Sequence, residues 1–415
     1  MKIHRNICSW LTFFSFVLLF FIFSNHEAFG EEPVSIQSSE EVKIISNPKT
    51  PSPKNGLKIR IVFEEDLAIG VEEGDENYMF GNRVYFNTDD EGNIYVNDWD
   101  RKRIQKFDPQ GQHLLTIGRR GRGPGEFVNA WNPRFDKERN LYVFDLSNRR
   151  VSFFTKEGEY LRQISFPQGM SIHYMNSKGL LFAAQSKILS DSDIFSYVYK
   201  YGLYDEELNQ VAEIYSQTTE RKRDAKSRAH YLANIYSDDA YDPELTFLMS
   251  KNEFIYLGYS EKYEIKIFSP KGKLVKITQR EYEPIKIGKK HKEDFIKYLE
   301  DEYFRFTPRV EGLKKDIIGL IKYPKYLPAY QTFTLMENGW LFVVVDTGDK
   351  DAKLIDVFDQ NGKYIAQFTT AVSTDRLIFK NGKAYAIDTV NDYRYVKRYS
   401  YEIQEFRNNK WIRKR

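Results

Sequence analysis

NIYVNDWDRKRIQKFDPQG, at Asn93–Gly111, is followed 47 residues later by the related stretch NLYVFDLSNRRVSFFTKEG, at Asn140–Gly158. The two stretches align without a gap, and their similarity continues to Ile117 and Ile164. A repeat of ~40 to 50 residues with several short strands has the size of a four-stranded propeller blade, whereas ankyrin and tetratricopeptide units are helical and ~33 to 34 residues long. The sequence therefore predicts a repeat protein made of such blades.

The first stretch has the local pattern of two paired strands. Ile94 and Val96 alternate with Tyr95, which is the period-2 signal of a strand in a sheet. The turn that follows, Asp108–Gly111, has proline where a φ near −65° is wanted and glycine where a positive φ is wanted. The chain is therefore expected to fold back at this turn as a hairpin.

Four weaker copies of the unit complete the count. They contain Leu180–Phe182, Lys251–Ile277, Gly339–Gly362 and Asn381–Tyr399. Six units predict an all-β fold, a six-bladed β-propeller of four-stranded antiparallel blades with small helical insertions. Leu57–Phe63 alternates but has no unit of its own. We expect it to add the outer strand of the last blade, which would close the ring and cover an exposed edge.

Residues 1–30 have the pattern of a secretory signal peptide. Lys2 and Arg5 precede the apolar run Trp10–Phe23, and Ala28 and Gly30 supply small residues for cleavage near Gly30. As a helix, this run of 14 residues would be about 21 Å long, too short for a hydrocarbon core of ~30 Å. The pattern predicts a secreted or periplasmic protein with no stable membrane span after cleavage, whereas retention of the signal as an anchor stays open.

The composition of the mature chain limits its chemistry. Cleavage would leave 60 basic and 58 acidic residues from totals of 62 and 59, a nearly neutral balance that argues against nucleic acid as a partner. The single cysteine, Cys8, lies within the signal, so the mature protein would have neither a disulfide nor a reactive thiol. Residues 31–56 are rich in Glu, Ser, Pro and Lys and are expected to be a flexible linker.

The propeller is predicted over residues 57–415, a length that leaves room for insertions beyond units of 47 residues. The first insertion is expected at about 217–242, where a basic run suggests a surface helix. The second is expected at about 289–326, where apolar residues recur at helical spacing and suggest a helical hairpin. Both should lie over one rim of the ring.

Two features of the repeat carry charge. Asp98 and Arg103 recur as Asp145 and Arg150, and the favoured interpretation is structural: the carboxylate pins a loop through backbone N–H groups or the arginine. The glycine-rich link Gly118–Phe127 joins the first two units and is expected to cross the ring near its channel.

This link supplies the candidate ligand-binding residues. Arg119, Arg120 and Arg122 could present guanidinium groups to carboxylates or phosphates. The alternative is structural: the glycines and Pro124 would form the tight crossover, Phe127 would fill the space between blades, and the arginines would be solvated or paired with nearby acidic residues.

The repeat resembles the NHL repeat in the stretch quoted first and in LLTIGRRGRGPGEF at Leu114–Phe127. The chain over 57–415 is similar to exported bacterial six-bladed propellers with a TolB-like ring, and KYPKYLPAY at Lys322–Tyr330 and IDVFDQNG at Ile355–Gly362 are similar to their later part. The resemblance implies a fold that hosts lyases, lactonases, receptor ectodomains and binding scaffolds, so it implies no single activity.

The enzyme alternative, a metal-dependent hydrolase or lyase of the lactonase or amidating-lyase type, would need an axial metal. The mature chain has four histidines without ligand spacing, His113, His173, His230 and His291. An oxygen-ligated calcium site stays open, but its ligands cannot be selected; no cofactor is predicted. The favoured function is an exported binding module that holds a protein, peptide or glycan on the channel face, without evident catalysis.

Overall fold

The computed structural model describes residues 41–52, 58–190, 194–222, 227–238, 240–304, 312–345, 353–408 and 410–413. The predicted signal peptide, residues 1–30, lies outside the described residues, as do parts of the predicted linker. The described strands form six sheets, and the innermost strands of all six line one central channel. The prediction of a six-bladed β-propeller of four-stranded antiparallel blades is confirmed.

The strands follow one another from the channel outwards in each blade. Two strands precede the first blade, β1 (Lys43–Asn47) and β2 (Ile59–Ile69). Blade 1 contains β3 (Val84–Thr88), β4 (Ile94–Asp98), β5 (Arg103–Phe107) and β6 (His113–Ile117). Blade 2 contains β7 (Arg134–Phe135), β8 (Leu141–Asp145), β9 (Arg150–Phe154) and β10 (Tyr160–Ser165). Blade 3 contains β11 (Met170–Met175), β12 (Leu181–Ser190), β13 (Ile194–Tyr204) and β14 (Gln210–Lys222).

The second half of the chain repeats this order. Blade 4 contains β15 (Leu245–Met249), β16 (Ile255–Tyr259), β17 (Glu264–Phe268) and β18 (Leu274–Arg280). Blade 5 contains β19 (Thr332–Leu335), β20 (Leu341–Val345), β21 (Lys353–Phe358) and β22 (Tyr364–Thr370). Blade 6 contains β23 (Ile378–Lys380), β24 (Lys383–Val390) and β25 (Tyr393–Arg407), and β26 (Lys410–Arg413) pairs with the end of β25.

The two faces of the ring differ in their connections. Each link between blades leaves an outermost strand and enters the next innermost strand, so all of these links lie on one face, which we call the crossover face. The turns between the first and second strands of the blades lie on the opposite face, the turn face. Asp89–Asn93 is one such turn, closed by the Asp89 N–H donating to the Asn93 carbonyl at 3.0 Å.

The blades are held together by apolar side chains between adjacent sheets. Between blades 1 and 2, Tyr95 and Ile117 pack with Leu141 and Phe154 in one cluster. Phe127, from the link between these blades, is fully buried in the same cluster. Burial of a side chain of this size contributes roughly 1.5–3 kcal/mol relative to exposure. The link therefore contributes to the core as well as joining two blades.

The N-terminal strand β2 closes the ring. It pairs antiparallel with β25 from Ile59↔Glu405 to Ile69↔Val396, so blade 6 combines strands from both ends of the described chain. The expectation that the alternating segment from Leu57 supplies the outer strand of the last blade is confirmed for its described residues, which begin at Lys58. Because β2 pairs with β25, it covers the outer edge of β25 and so closes the ring at blade 6.

The expectation of a flexible linker over residues 31–56 is wrong for Lys43–Asn47. These residues form β1, which adds a fifth strand to blade 4 by pairing parallel with β18. The Asn47 Nδ2 group donates to the carbonyls of Gln279 at 3.0 Å and Gly362 at 2.9 Å, and its Oδ1 accepts from the N–H of Tyr364 at 2.8 Å. Asn47 thereby joins the chain before the propeller to blades 4 and 5.

The two insertions form one helical cluster. The expected start of the first insertion, at about residue 217, is wrong, because β14 continues to Lys222 by pairing along the whole length of β13. Helix α1 (Arg228–Asp238) follows in the first insertion, and helices α2 (Lys289–Glu302) and α3 (Lys314–Leu320) lie in the second. Ala233, Phe295 and Ile317 are buried together where the helices meet. None of the helices in the described part of the chain is long and apolar enough to cross a membrane.

Candidate ligand-binding channel

The channel along the ring axis is the principal concave site of the described structure. It has a volume of about 1120 Å³ and is lined by residues from the innermost strand of every blade. Ligand pockets typically have volumes of roughly 300–1,000 Å³, so this channel is large enough for a small-molecule ligand or part of a larger one. Its lining combines aromatic rings with charged side chains of both signs, which include Arg134 and Arg376.

Five blades place one side chain at the same height in the channel. In each of these blades, the residue lies two positions before the first residue of a turn on the turn face. The backbone N–H of that first residue donates to the carbonyl of the residue four positions later, at 2.9–3.0 Å. We call this set the Arg134 tier; it consists of Asn87, Arg134, Tyr174, Leu248 and Thr334. Arg134 is the charged member of the five, so the tier has one positive charge among polar and apolar neighbours.

Arg134 is held against an aromatic ring of the next blade. Its guanidinium carbon lies 3.6 Å from the centre of the Tyr174 ring, a cation–π contact between blades 2 and 3. Its Nε group is buried and has no hydrogen-bond partner among the described residues. Among the described residues, no carboxylate forms an ion pair with Arg134. The guanidinium group is therefore oriented by Tyr174, while hydrogen-bonding capacity is left unused.

A second channel arginine has a similar arrangement nearer the crossover face. The guanidinium carbon of Arg376 lies 3.8 Å from the centre of the Tyr85 ring, and that ring contacts Trp131 with ring centres 5.1 Å apart. Arg376 has a φ of 52°, which is uncommon for a residue other than glycine. By contrast, the channel lysine Lys380 pairs with Asp90 at 3.1 Å. Lys380 therefore forms an ion pair, whereas neither Arg134 nor Arg376 forms one with a residue that the structure describes.

His173 lies within the innermost strand β11. It is 7% exposed, with its ring centre 4.7 Å from that of Phe247 and its Nε2 3.2 Å from the Ser171 hydroxyl. Burial, reinforced by the positive charge of Arg134, lowers the pKa of His173 to about 3. The imidazole is therefore neutral at ordinary pH and adds no positive charge next to Arg134.

The arginines predicted to bind ligand lie outside the channel. Arg119, Arg120 and Arg122 are exposed on the crossover face, in the link between blades 1 and 2. Arg119 pairs with Glu126 at 2.9 Å. The hydrogen bond from the Gly123 N–H, together with this ion pair, lowers the pKa of the Glu126 carboxyl. Neither Arg120 nor Arg122 forms an ion pair with any residue that the structure describes. The link therefore has two unpaired cations at the surface.

The repeated aspartates anchor the entering link of their blades. The Asp145 carboxylate accepts hydrogen bonds from the backbone N–H groups of Val128 at 2.8 Å and of Asn129 and Asn148 at 3.0 Å. Asp98 accepts from the Gly81 N–H at 3.2 Å and lies 3.7 Å from Arg103. Both carboxylates are fully buried.

The paired arginine of blade 2 holds the same link. The Arg150 guanidinium donates to the carbonyls of Arg122 at 3.1 Å and Glu126 at 2.8 Å. Together, Asp145 and Arg150 fix the backbone that presents Arg119, Arg120 and Arg122.

Metal-binding geometry is absent from the described part of the chain, where no three His, Cys, Asp or Glu side chains lie close enough together to hold an ion. The four histidines of the mature chain are separated. His113 lies in β6, His173 in β11, His230 in α1 and His291 in α2.

Sequence reasoning did not select Arg134, although the repeat contains the signal. Asn87 lies 47 residues before Arg134, the same offset that relates Asn93 to Asn140. Extension of the repeat two residues upstream of Asp89 would have placed Arg134 on an innermost strand. Arg376 has no such signal, because the weak last copy of the unit does not fix the register of its innermost strand.

Comparison with known proteins identifies the family but no activity. Among solved structures, a Bacteroides fragilis protein described as exported is 11% identical, with 87% of this chain and 99% of that chain covered and a TM-score of 0.47. A member of the DUF4221 family from Bacteroides vulgatus is 9% identical, with 83% and 98% covered and a TM-score of 0.46. Virginiamycin B lyase from Staphylococcus aureus is 8% identical, with 86% and 88% covered and a TM-score of 0.35.

No curated protein matches the chain. The family DUF5128, described as a 6-bladed beta-propeller, matches residues 82–299, which are more than half of the 415 residues. The chain therefore belongs to the DUF5128 family of six-bladed beta-propellers.

Proposed function

We propose that this protein is an exported, NHL-like propeller that binds a ligand in its central channel. The observation that carries the proposal is the channel itself, which combines a volume of about 1120 Å³ with two arginines stacked on tyrosine rings. Apolar walls with a few oriented polar groups are characteristic of ligand sites, because the walls supply affinity and the polar groups select orientation. The export signal at residues 1–30 would place this site in the periplasm or outside the cell.

The ligand class follows from the compartment and the lining. A protein segment, a peptide or a glycan from the cell envelope could enter from the open end of the channel and contact its aromatic rings. Binding is the function that these side chains support, because arginine supplies charge and directed hydrogen bonds and tyrosine supplies an aromatic face and a hydroxyl group.

The exposed link supports a second contact surface on the crossover face. Arg120 and Arg122 are unpaired there, and the hydrogen bonds of Arg150 to the Arg122 and Glu126 carbonyls hold their backbone in place. A fixed backbone reduces the entropy lost on binding, so these side chains are suited to contact the acidic part of a partner that extends beyond the channel. The channel and the link can be tested separately.

The test is capture of ligands from a cell-envelope extract by the mature protein. Thr334→Trp places an indole ring in the Arg134 tier, and Thr218→Trp is its matched control on an exposed position of β14. We expect Thr334→Trp to lose the captured material, Thr218→Trp to retain it, and both to keep the melting temperature within a few degrees. Equal capture by both variants would overturn binding in the channel. Replacement of Arg120 and Arg122 by serine then tests whether the link contributes.

A further inference from the structure

We propose that Arg134 anchors a carboxylate group of the channel ligand. This inference builds on the proposed function and names the chemical group that the channel selects. Three features of Arg134 point to this role: its place in the Arg134 tier, its stacking on Tyr174, and the absence of an ion pair with any described carboxylate.

The position of Arg134 separates it from a structural arginine. At the equivalent positions of the two neighbouring blades, the tier has the uncharged residues Asn87 and Tyr174. The Asn87 side chain already donates to the Pro133 carbonyl at 3.0 Å, so its amide group serves the contact between blades 1 and 2. Arg134 has no such hydrogen bond. Its guanidinium group extends to the next blade and contacts the face of Tyr174.

The stacking leaves the edge of the guanidinium group available. A ring in contact with the flat face at 3.6 Å cannot accept the in-plane N–H groups, which point away from the contact. The buried Nε–H of Arg134 is one of these donors and lacks an acceptor among the described residues. The Nε–H group is shielded, but the Arg134 side chain as a whole is partly exposed in the channel lining, so a ligand would meet the terminal N–H groups of the fork.

The nearby lining carboxylates are engaged in other contacts. Asp136 accepts hydrogen bonds within its own turn, from the N–H groups of Glu138 at 2.9 Å and Asn140 at 2.8 Å. Asp90 pairs with Lys380 at 3.1 Å. Both carboxylates therefore already have partners at the turn face. The guanidinium group of Arg134 can then pair with an anionic group of a ligand.

The chemistry of the anchor favours a carboxylate. Its two oxygens match the spacing of two guanidinium N–H groups in one plane, which gives a bidentate contact. One guanidinium group balances one negative charge, and the adjacent His173 imidazole is neutral, so the tier suits a singly charged group. A sugar acid and the carboxyl end of a peptide share this group and are tested separately.

The experiment follows the Arg134 side chain directly by NMR. The full mature protein is labelled with ¹⁵N-arginine, and the Nε–H signal of Arg134 is identified by its loss in Arg134→Lys. Galacturonate is titrated against galactose, and acetyl-diglycine is titrated against its amide, each to about 10 mM, which would largely fill a site with a Kd of 1 mM. We expect one acid to shift the Arg134 signal saturably, whereas its neutral counterpart leaves the signal in place.

Affinity measurements on variants complete the test. We expect Arg134→Gln to weaken binding of that acid about tenfold or more, and Arg134→Lys, which keeps the charge without the planar fork, to lie between this variant and the natural protein. Arg162→Gln is the matched control and should bind normally, because Arg162 is exposed on the outermost strand β10 and stacks on the Phe153 ring at 3.9 Å in the same way.

The outcomes separate the anchor from the proposed function. An Arg134 signal that no acid shifts, or that the neutral compounds shift equally, would overturn the anchor even if envelope ligands are still captured. Loss of capture by Thr334→Trp together with full capture by Arg134→Gln would likewise keep the channel and reject the anchor.

Discussion

Acidification should destabilise this propeller through His173. The side chain is 7% exposed in β11, and its ring contacts Phe182 and Phe247, with ring centres 5.9 Å and 4.7 Å away. Protonation would place a cation among these rings and next to the guanidinium group of Arg134. Burial and this neighbouring charge lower the pKa of His173 to about 3 in the folded protein, whereas the ordinary value is 6.5.

The sign and size of the effect follow from proton linkage. Between pH 6.5 and pH 3 the unfolded chain holds a proton on His173 that the folded protein excludes, so the stability present above pH 6.5 is lost as the pH falls. One pKa unit corresponds to about 1.36 kcal/mol, so at pH 5 this residue should lower the free energy of unfolding by about 2 kcal/mol relative to pH 7. The full loss is reached near pH 3.

The assay is urea denaturation at pH 7 and pH 5 for the natural protein and His173→Gln. The substitution can change stability at both pH values, but the decrease from pH 7 to pH 5 should be smaller by about 2 kcal/mol, because glutamine does not titrate. His230→Gln, in helix α1 away from the channel, is the control and should keep the natural decrease. The reasoning is refuted if His173→Gln loses as much stability on acidification as the natural protein does.

Four further predictions concern the fold and export. Asn47→Ala removes three hydrogen bonds to blades 4 and 5, two of them buried, and should cost about 1–3 kcal/mol, measured as a lower urea midpoint; an unchanged midpoint would contradict the docking of β1. Asp356→Asn leaves the buried Arg280 without its carboxylate partner and should cost about 3 kcal/mol in thermal denaturation. Gly118→Ala should cost more than Gly382→Ala, since φ is similar (74° and 70°) but an added Cβ clashes with a neighbour only at Gly118. N-terminal sequencing of the exported protein should begin at residue 31, and an intact N terminus would refute cleavage.

The blades could be predicted because their signals are local. Alternation in Ile94–Asp98 and the proline-glycine turn at Asp108–Gly111 are determined within a few residues, and the 47-residue repeat multiplies them. In the structure these residues form β4 and a turn, in which the Gly111 N–H donates to the Asp108 carbonyl at 2.9 Å. Even the degraded copy at Leu180 is a complete four-stranded blade, because its neighbours supply the faces against which it packs.

The strand β1 could not be predicted from its own residues. Lys43–Asn47 has a short mixed pattern, and its partner, Lys276–Arg280, is more than 230 residues away. What fixes it is the fit of Asn47 between two carbonyls and one N–H group of blades 4 and 5. A contact of this kind depends on the finished ring, so composition indicated a linker where the structure has a strand.

The candidate residues predicted from the sequence lie on the link between blades 1 and 2, whereas the site proposed from the structure lies in the channel. Glycine, proline and three arginines drew attention to Gly118–Phe127, a conspicuous local pattern. The arginine side chains of this link lie on the crossover face, whereas the charged member of the Arg134 tier is a single arginine in a two-residue strand, β7. Channel residues come one or two from each blade, so they form no continuous motif, and only the repeat register connects them.

The comparison of equivalent positions explains why the channel is where the function of this chain is best sought. The packing residues at equivalent positions of blades 1 and 2 are alike, as in Tyr95 with Tyr142 and Phe107 with Phe154, because each fills the same kind of space between its own blade and a neighbouring one. Positions in the Arg134 tier differ in chemistry, from leucine to arginine, although they share one backbone geometry. Packing between the blades therefore does not determine which residue types occupy the Arg134 tier. An arginine there with unused hydrogen-bond donors needs another explanation. Recognition of an anionic ligand supplies that cause.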